Sequence, residues 1–359
     1  MKIKLAILDK DTAYLQRIVS VFNNKYADKL EIYSFTDQEM ALETVQRAKI
    51  HVLLAGEEYN IKSEELPQRC AFAWFVDTKE IDQINQKAAI CKYQKIDMVY
   101  KQILSLYSEV AGDMITTAGG EDGQVEVVTV LSPAGGVGCS TIAAAYAMAL
   151  CQYGKRVLYL NLEKFGSTYS YFKGDGTDGL SEVLYAIKSQ KSDLSLKLKL
   201  EGTVRQDKCG VYFLPECRVA LDRMEMKPEE LRMLLRQIRI SETYDAIVLD
   251  VDFSFDALEM EAMKQSHRIF MVSDGSSNAN TKIQRAYQAL EILEQQEGNI
   301  VTDKMLLLYN RFHSRLGEKI DSLPLPTAGG LPYFKEAKEA QIAAEIARMD
   351  LFEKLTGMK

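Results

Sequence analysis

The sequence predicts an α/β protein built of two doubly wound parallel sheets. Three observations carry that expectation. Short apolar runs alternate with amphipathic stretches along both halves of the 359 residues, the pattern of strand–helix–strand units. Periodicity vanishes over residues 109–124, which from 111 onward read Ala-Gly-Asp-Met-Ile-Thr-Thr-Ala-Gly-Gly-Glu-Asp-Gly-Gln, a linker composition. Just beyond it, an apolar run, a glycine-rich turn and an alanine-rich helix follow one another without a break. The domains expected are therefore 1–108, a linker over 109–124, and 125–359.

Composition narrows the class. Hydrophobic residues make up 47% and charged residues 26%, enough apolar side chain for two cores. A net charge of −7 argues against a nucleic-acid coat, which wants a basic surface. Six cysteines (70, 91, 139, 151, 209 and 217) form no C-x-x-C pair and only three histidines accompany them. A zinc site is not expected, and scattered thiols suit a reducing cytosol. The N-terminal residues read as a strand rather than a signal peptide, and no apolar run approaches the ~20 residues of a membrane span. A cytoplasmic protein is expected, reaching a membrane only through partners.

In the first half, residues 3–8 read as a strand and Asp9–Asp11 as a turn into a helix ending near Asn24. Strands are expected at 31–35, 51–55, 72–76 and 89–91, with helices at 37–48 and 97–108. In the second half, a strand ends at Leu131 and a helix covers 140–153, stopped by Gly154. Strands follow at 156–162, 210–214, 246–249, 269–272 and 305–308, and helices at 179–187, 228–239 and 335–355. The segment Asp350–Leu355 reads as a short packed helix rather than a membrane anchor.

Residues 127–143, Val-Val-Thr-Val-Leu-Ser-Pro-Ala-Gly-Gly-Val-Gly-Cys-Ser-Thr-Ile-Ala, have the form strand, loop, helix. Small residues let successive backbone N–H groups converge on an anion, and the helix N-terminus adds its positive dipole end. A hydroxyl just inside the helix, Ser140 or Thr141, suits Mg²⁺. The lysine that normally precedes that hydroxyl is absent, and Cys139 stands in its place. A helix N-terminus lowers a thiol pKa, but no histidine lies nearby in sequence, so a nucleophilic role for Cys139 is disfavoured.

On these residues the second half resembles the MinD/ParA family of deviant-Walker P-loop ATPases, whose loop reads Lys-Gly-Gly-Val-Gly-Lys-Ser/Thr-Thr. The same positions here are Ala134, Gly135, Gly136, Val137, Gly138, Cys139, Ser140 and Thr141, so both lysines are missing. The runs 154–158 and 244–250 also match the family. The resemblance implies that residues 135–141 bind the phosphates of ATP, and that Ser140 holds Mg²⁺ while Asp250 holds it through water. It further implies that Glu163 orients the attacking water, and that Asn310, Arg311 and the Pro332 loop receive the adenine. Asn161 and Glu163 stand where the family carries two aspartates, and Asp252 is either an assistant or a solvated residue.

The first half resembles a response-regulator receiver, a flavodoxin-like fold, with Asp9 and Asp11 at the acidic pair and Lys92 at the lysine. The phospho-accepting aspartate is replaced by Ala55, with Glu57 and Glu58 one or two residues on, and Tyr93 replaces the proline after the lysine. No aspartyl phosphate is expected. The alternative for Asp9, Asp11 and Lys92 is a solvated turn and a surface lysine. A receiver-like domain ahead of such an ATPase resembles TadZ/CpaE, the branch associated with Tad (Flp) pili. That resemblance implies an ATP-binding, weakly or non-hydrolysing scaffold, a homodimer formed around Mg-ATP, and pilus-assembly partners, with no specific nucleic acid. The alternatives are a slow ATPase switch drawing its cation from Lys164 or a partner, and a module that binds no nucleotide.

Overall fold

The computed structural model describes residues 2–62, 65–67, 69–110, 125–189, 192–298, 301–313, 317–335 and 337–356. The expected linker lies, from residue 111 to 124, outside the described residues. The chain divides into two compact units, residues 1–117 with 189–203 and residues 118–188 with 204–359.

The first unit contains strands β1 (Ile3–Leu8), β2 (Leu30–Phe35), β3 (Val52–Gly56), β4 (Ala71–Val76), β5 (Gln83–Ile84) and β6 (Lys87–Cys91), with helices α1 (Thr12–Lys25), α2 (Gln38–Arg47) and α3 (Ile96–Val110). Strand order is β2-β1-β3-β4-β6-β5, parallel except for the pairing of β5 with β6. Strand period two sends Leu5, Ile7, Val52, Leu54, Ala73 and Phe75 to the face covered by α1 and α3. The alternate residues, among them Leu8, Leu53, Phe72 and Trp74, face α2. Helix α1 starts where Asp11 accepts the Tyr14 N–H at 2.9 Å, an N-cap. Among the described residues no α-helix joins β3 to β4 or β4 to β6; the β5–β6 hairpin, bonded to the Trp74 indole through Ile84 O at 3.2 Å, occupies the second crossover.

The second unit contains β7 (Glu126–Leu131), α4 (Cys139–Gln152), β8 (Val157–Asn161) and α5 (Leu180–Lys188). The chain then passes through α6 (Asp193–Thr203), which belongs to the first unit. The second unit resumes with β9 (Arg205–Gln206), β10 (Tyr212–Leu214), α7 (Ala220–Met224), α8 (Pro228–Ile240), β11 (Ala246–Asp250), α9 (Ala257–Gln265) and β12 (Arg268–Ser273). It closes with α10 (Ser277–Glu297), β13 (Met305–Tyr309), β14 (Thr327–Gly330), α11 (Glu339–Ile346) and α12 (Asp350–Leu355). The sheet order is β14-β13-β12-β7-β11-β8-β10-β9, with only β9 antiparallel. Strands β7, β8 and β11 are almost wholly buried, as a parallel sheet covered on both faces requires. Helix α4 is buried on nearly every side; its alanines let it lie close to the sheet and to α11.

The expected helix at 335–355 is two helices, α11 and α12, because Met349 turns extended (φ −79°, ψ 146°) and starts a new one. Helices α6, α7, α9 and α10 lie outside the elements expected from sequence. The last of these, α10, buries Ala279, Ile283, Ala286, Tyr287 and Leu290 on one stripe.

Helix α6 packs along α3 within the first unit. It buries Leu196 and Leu200, the Ser195 hydroxyl donates to Ser108 O, and Lys199 Nζ reaches Ser105 Oγ at 2.8 Å. Gly202 permits this approach, since a Cβ there would lie 3.1 Å from Lys101 O. Leu196→Ala is expected to destabilise the first unit by about 2–5 kcal/mol. Amide hydrogen exchange checks this: exchange should accelerate along α3.

Candidate functional site

At the C-terminal edge of the second sheet, β7 runs into the loop at 132–138 and then into α4. Gly136 (φ +77°) and Gly138 (φ +93°) adopt left-handed conformations that favour glycine. Gly138 is the N-cap of α4 and no side chain caps the helix. The first helical N–H groups are thus free of side-chain acceptors, and the first intrahelical bond is Ile142 N to Gly138 O at 3.1 Å. Two strand-end residues brace the loop from outside. Asn310 Nδ2 donates to Val137 O at 2.8 Å and Arg311 donates to Gly136 O at 3.1 Å. A Cβ on Gly138 would meet the Asn310 amide at 2.4 Å, so only glycine allows that approach.

Below the loop lies a group of carboxylates. Asp250 ends β11 and is fully buried, not part of a surface turn. Its Oδ2 accepts from the Tyr159 hydroxyl at 2.7 Å and from Asn161 Nδ2 at 3.0 Å, while Oδ1 is buried with no hydrogen-bond partner. Glu163 accepts from Asn161 Nδ2 at 2.9 Å and from the Ser140 hydroxyl at 3.2 Å. Burial, and then the charge of Glu163, push Asp250 up to about 8; burial also raises Glu163. Cys139 is only partly accessible, and its thiol pKa is raised by burial and by Asp250 and Glu163. Burial and these two charges act against the helix dipole that would otherwise activate the thiol. Lys164 pairs with Asp256 at 3.2 Å, and its N–H binds Asp252 at 2.7 Å. Thr141 faces the Tyr171 hydroxyl at 3.0 Å.

Beside α4 a cavity of about 240 Å³ is lined by Thr141, Asn310, Arg311, Tyr333, Phe334 and Glu339, among others. Pro332 itself is exposed and leads into Tyr333 and Phe334. Two residues that sequence reasoning missed support the carboxylates: Tyr159, and Arg223, which donates to Leu162 O at 2.6 Å and to Glu259 at 2.8 Å. A tyrosine at the middle of an apolar strand is the signal for the first, since its hydroxyl must find a partner when buried. Nothing local signals the second.

The first unit has its own acidic group. The Lys92 side chain is only 9% exposed, with Nζ 2.7 Å from Asp9 and 3.2 Å from Asp77. Burial works against its charge, but the hydrogen bonds and charges of the two aspartates prevail and its pKa is raised. Ala55 is buried at the strand end. Glu58 folds back over Gly56 and accepts the Lys10 N–H at 3.3 Å.

A receiver-like unit together with a P-loop NTPase unit that lacks both loop lysines defines the class of the chain. The comparisons make it particular. Residues 1–108 match the family described as TadZ-like, receiver domain, and residues 125–302 match the AAA domain family. The chain carries a TadZ-like receiver domain followed by an AAA-family domain whose fold is that of ParA and MinD ATPases. No curated protein matches it significantly. Among solved structures, a ParA family ATPase from Chlorobium tepidum TLS is similar at 20% identity, covering 65% of this chain and 96% of its own, with a TM-score of 0.51. The MinC:MinD cell division protein complex of Aquifex aeolicus follows at 17%, 65%, 96% and 0.50. The septum site-determining protein MinD of Pyrococcus horikoshii OT3, solved with Mg-ADP, stands at 18%, 65%, 98% and 0.48. At these identities the likeness is one of fold. Among the described residues no helix is long and apolar enough to cross a membrane.

Proposed function

We propose that the chain is a cytoplasmic ATP-binding scaffold of Tad (Flp) pilus assembly that hydrolyses ATP weakly or not at all and forms a homodimer around Mg-ATP. The observation that carries this reading is a backbone cradle at 135–141 whose two lysine positions hold Ala134 and Cys139. Main-chain N–H groups bind a triphosphate without help from side chains. One ammonium about 4 Å from a phosphate contributes up to ~4 kcal/mol at an effective dielectric of about 20, a loss that a divalent cation partly offsets. Hydrolysis depends almost wholly on positioned charge, so it suffers most.

The residues present fit such a cation. Asp250 Oδ1 is a buried oxygen with no hydrogen-bond partner of good geometry, and the Ser140 hydroxyl, bonded to Glu163, lies close enough to Asp250 to hold its pKa down against burial. Among the described residues no three histidine, cysteine or acidic side chains form a complete metal site. A Mg²⁺ ion here would complete its shell with water and phosphate oxygens, as it commonly does. When bound it supplies positive charge to the phosphates; the protein supplies Ser140, the Asp250 orientation and the loop amides. Asn310, Arg311 and the cavity beside them receive the adenine, and Glu163 is the residue nearest a water-orienting role.

Purified protein analysed for bound nucleotide and then assayed for phosphate release tests the reading. ATP without turnover supports it, turnover favours a slow switch, and no binding with Mg-ATP at millimolar concentration overturns it. Cys139→Lys places an ammonium among Asp250, Glu163 and the phosphates, and is expected to tighten nucleotide binding about tenfold or more. Titration calorimetry measures this directly.

A further inference from the structure

Strand β8 carries two side chains that the nucleotide reading leaves without a role. Strand period two puts Tyr159 and Asn161 on one face, and the register pairs them with Val248 and Asp250 of β11. Both residues are almost fully buried. The Tyr159 hydroxyl reaches Asp250 Oδ2 at 2.7 Å. The two hydrogens of Asn161 Nδ2 are divided between that same oxygen at 3.0 Å and Glu163 at 2.9 Å. The carbonyl of Asn161 is held in turn by the Glu163 N–H at 3.0 Å, and Gly166 packs so closely that a Cβ there would lie 2.9 Å from it. The amide cannot flip without putting an oxygen against two carboxylates.

We propose that Tyr159 and Asn161 are positioning residues, a neutral donor clamp that saturates Asp250 Oδ2 and leaves Oδ1 as the one oxygen free for a divalent cation. The inference rests on the Mg-nucleotide reading. With no lysine at 134 or 139, no ammonium from the loop balances Asp250 and Glu163. Donors without net charge hold the two carboxylates side by side, and the cation is then needed before phosphate is welcome. Asn161 is suited to this and an aspartate is not: it would add a third negative group where two already repel and remove both N–H donors.

The test uses the full chain and a fluorescent ATP analogue, titrated with Mg²⁺ and also measured in EDTA, with Mn²⁺ binding to nucleotide-free protein followed by electron paramagnetic resonance. Tyr159→Phe keeps the ring and its contact with Phe172; it should raise the half-saturating Mg²⁺ and Mn²⁺ concentrations about tenfold, the usual scale for a lost supporting hydrogen bond. Asn161→Leu, which removes both N–H donors without adding charge, should raise them further. Binding in EDTA should not change for either variant, whereas a merely structural defect weakens binding with and without metal alike. Wild-type metal titrations reproduced by both variants would overturn the clamp while leaving the nucleotide reading intact. A wild-type protein that binds neither Mg-nucleotide nor Mn²⁺ removes both.

Discussion

Asp250→Asn is expected to stabilise the second unit at pH 8 and to abolish metal-dependent nucleotide binding. Asp250 is fully buried and burial, followed by Glu163, pushes it up to about 8, whereas an unfolded aspartate titrates near 3.9. Between about pH 4 and pH 8 the unfolded chain has released a proton that the folded one retains. Stability therefore declines as pH rises through this window; the contribution is complete below about pH 4 and gone above about pH 8. Asparagine has nearly the same shape, presents its oxygen to Tyr159 and Asn161, and has no charge to bury. The gain should be roughly 2–4 kcal/mol at pH 8 and smaller at pH 5. Urea unfolding in EDTA at the two pH values measures it. Equal gains at both would mean that Asp250 is not the group that titrates. Stability gained by losing a carboxylate is the signature of a residue kept for binding.

Arg223→Met is expected to act in the opposite direction, destabilising the second unit by about 3–5 kcal/mol. The guanidinium and Glu259 are both nearly inaccessible and lie 2.8 Å apart. Removing the cation leaves a buried carboxylate alone and strips Leu162 O of its donor. Because Leu162 is the residue before Glu163, the end of β8 should loosen and Mg-dependent nucleotide affinity should fall as well. The double variant Arg223→Met with Glu259→Leu should recover most of the stability, since replacing both partners by apolar side chains leaves no orphaned charge. A single variant as stable as the wild type in urea would show that the pair contributes nothing.

Much of the fold was legible because it depends on short-range periods. The apolar runs at 3–8, 72–76, 127–131 and 246–250 are strands in the structure, and β-branched and aliphatic residues declare them. The loop at 134–141 announced itself through glycine, which takes the positive φ values seen at 136 and 138 at least cost. Helix α6 carries little amphipathic signal of its own, and its place on α3 depends on a contact made about 90 residues away in the chain. The single helix expected at 335–355 failed at Met349, where no proline or glycine marks the break.

For the site, the sequence by itself determined which groups are present and which are missing: a small-residue loop, a hydroxyl at 140, an acid at 250, no lysine at 134 or 139 and no acceptor at 55. Only the tertiary structure decided what those groups do to one another. Asp250 meets Asn161 because β11 and β8 are neighbours in that register, and Lys92 meets Asp9 because β1 and β6 run parallel in one sheet and end at the same edge. Local periods fix the type and the buried face of an element. Strand order and register, which bring side chains some 80–90 residues apart within 3 Å, are settled by the packing of the whole core, and with them the charge balance of the site.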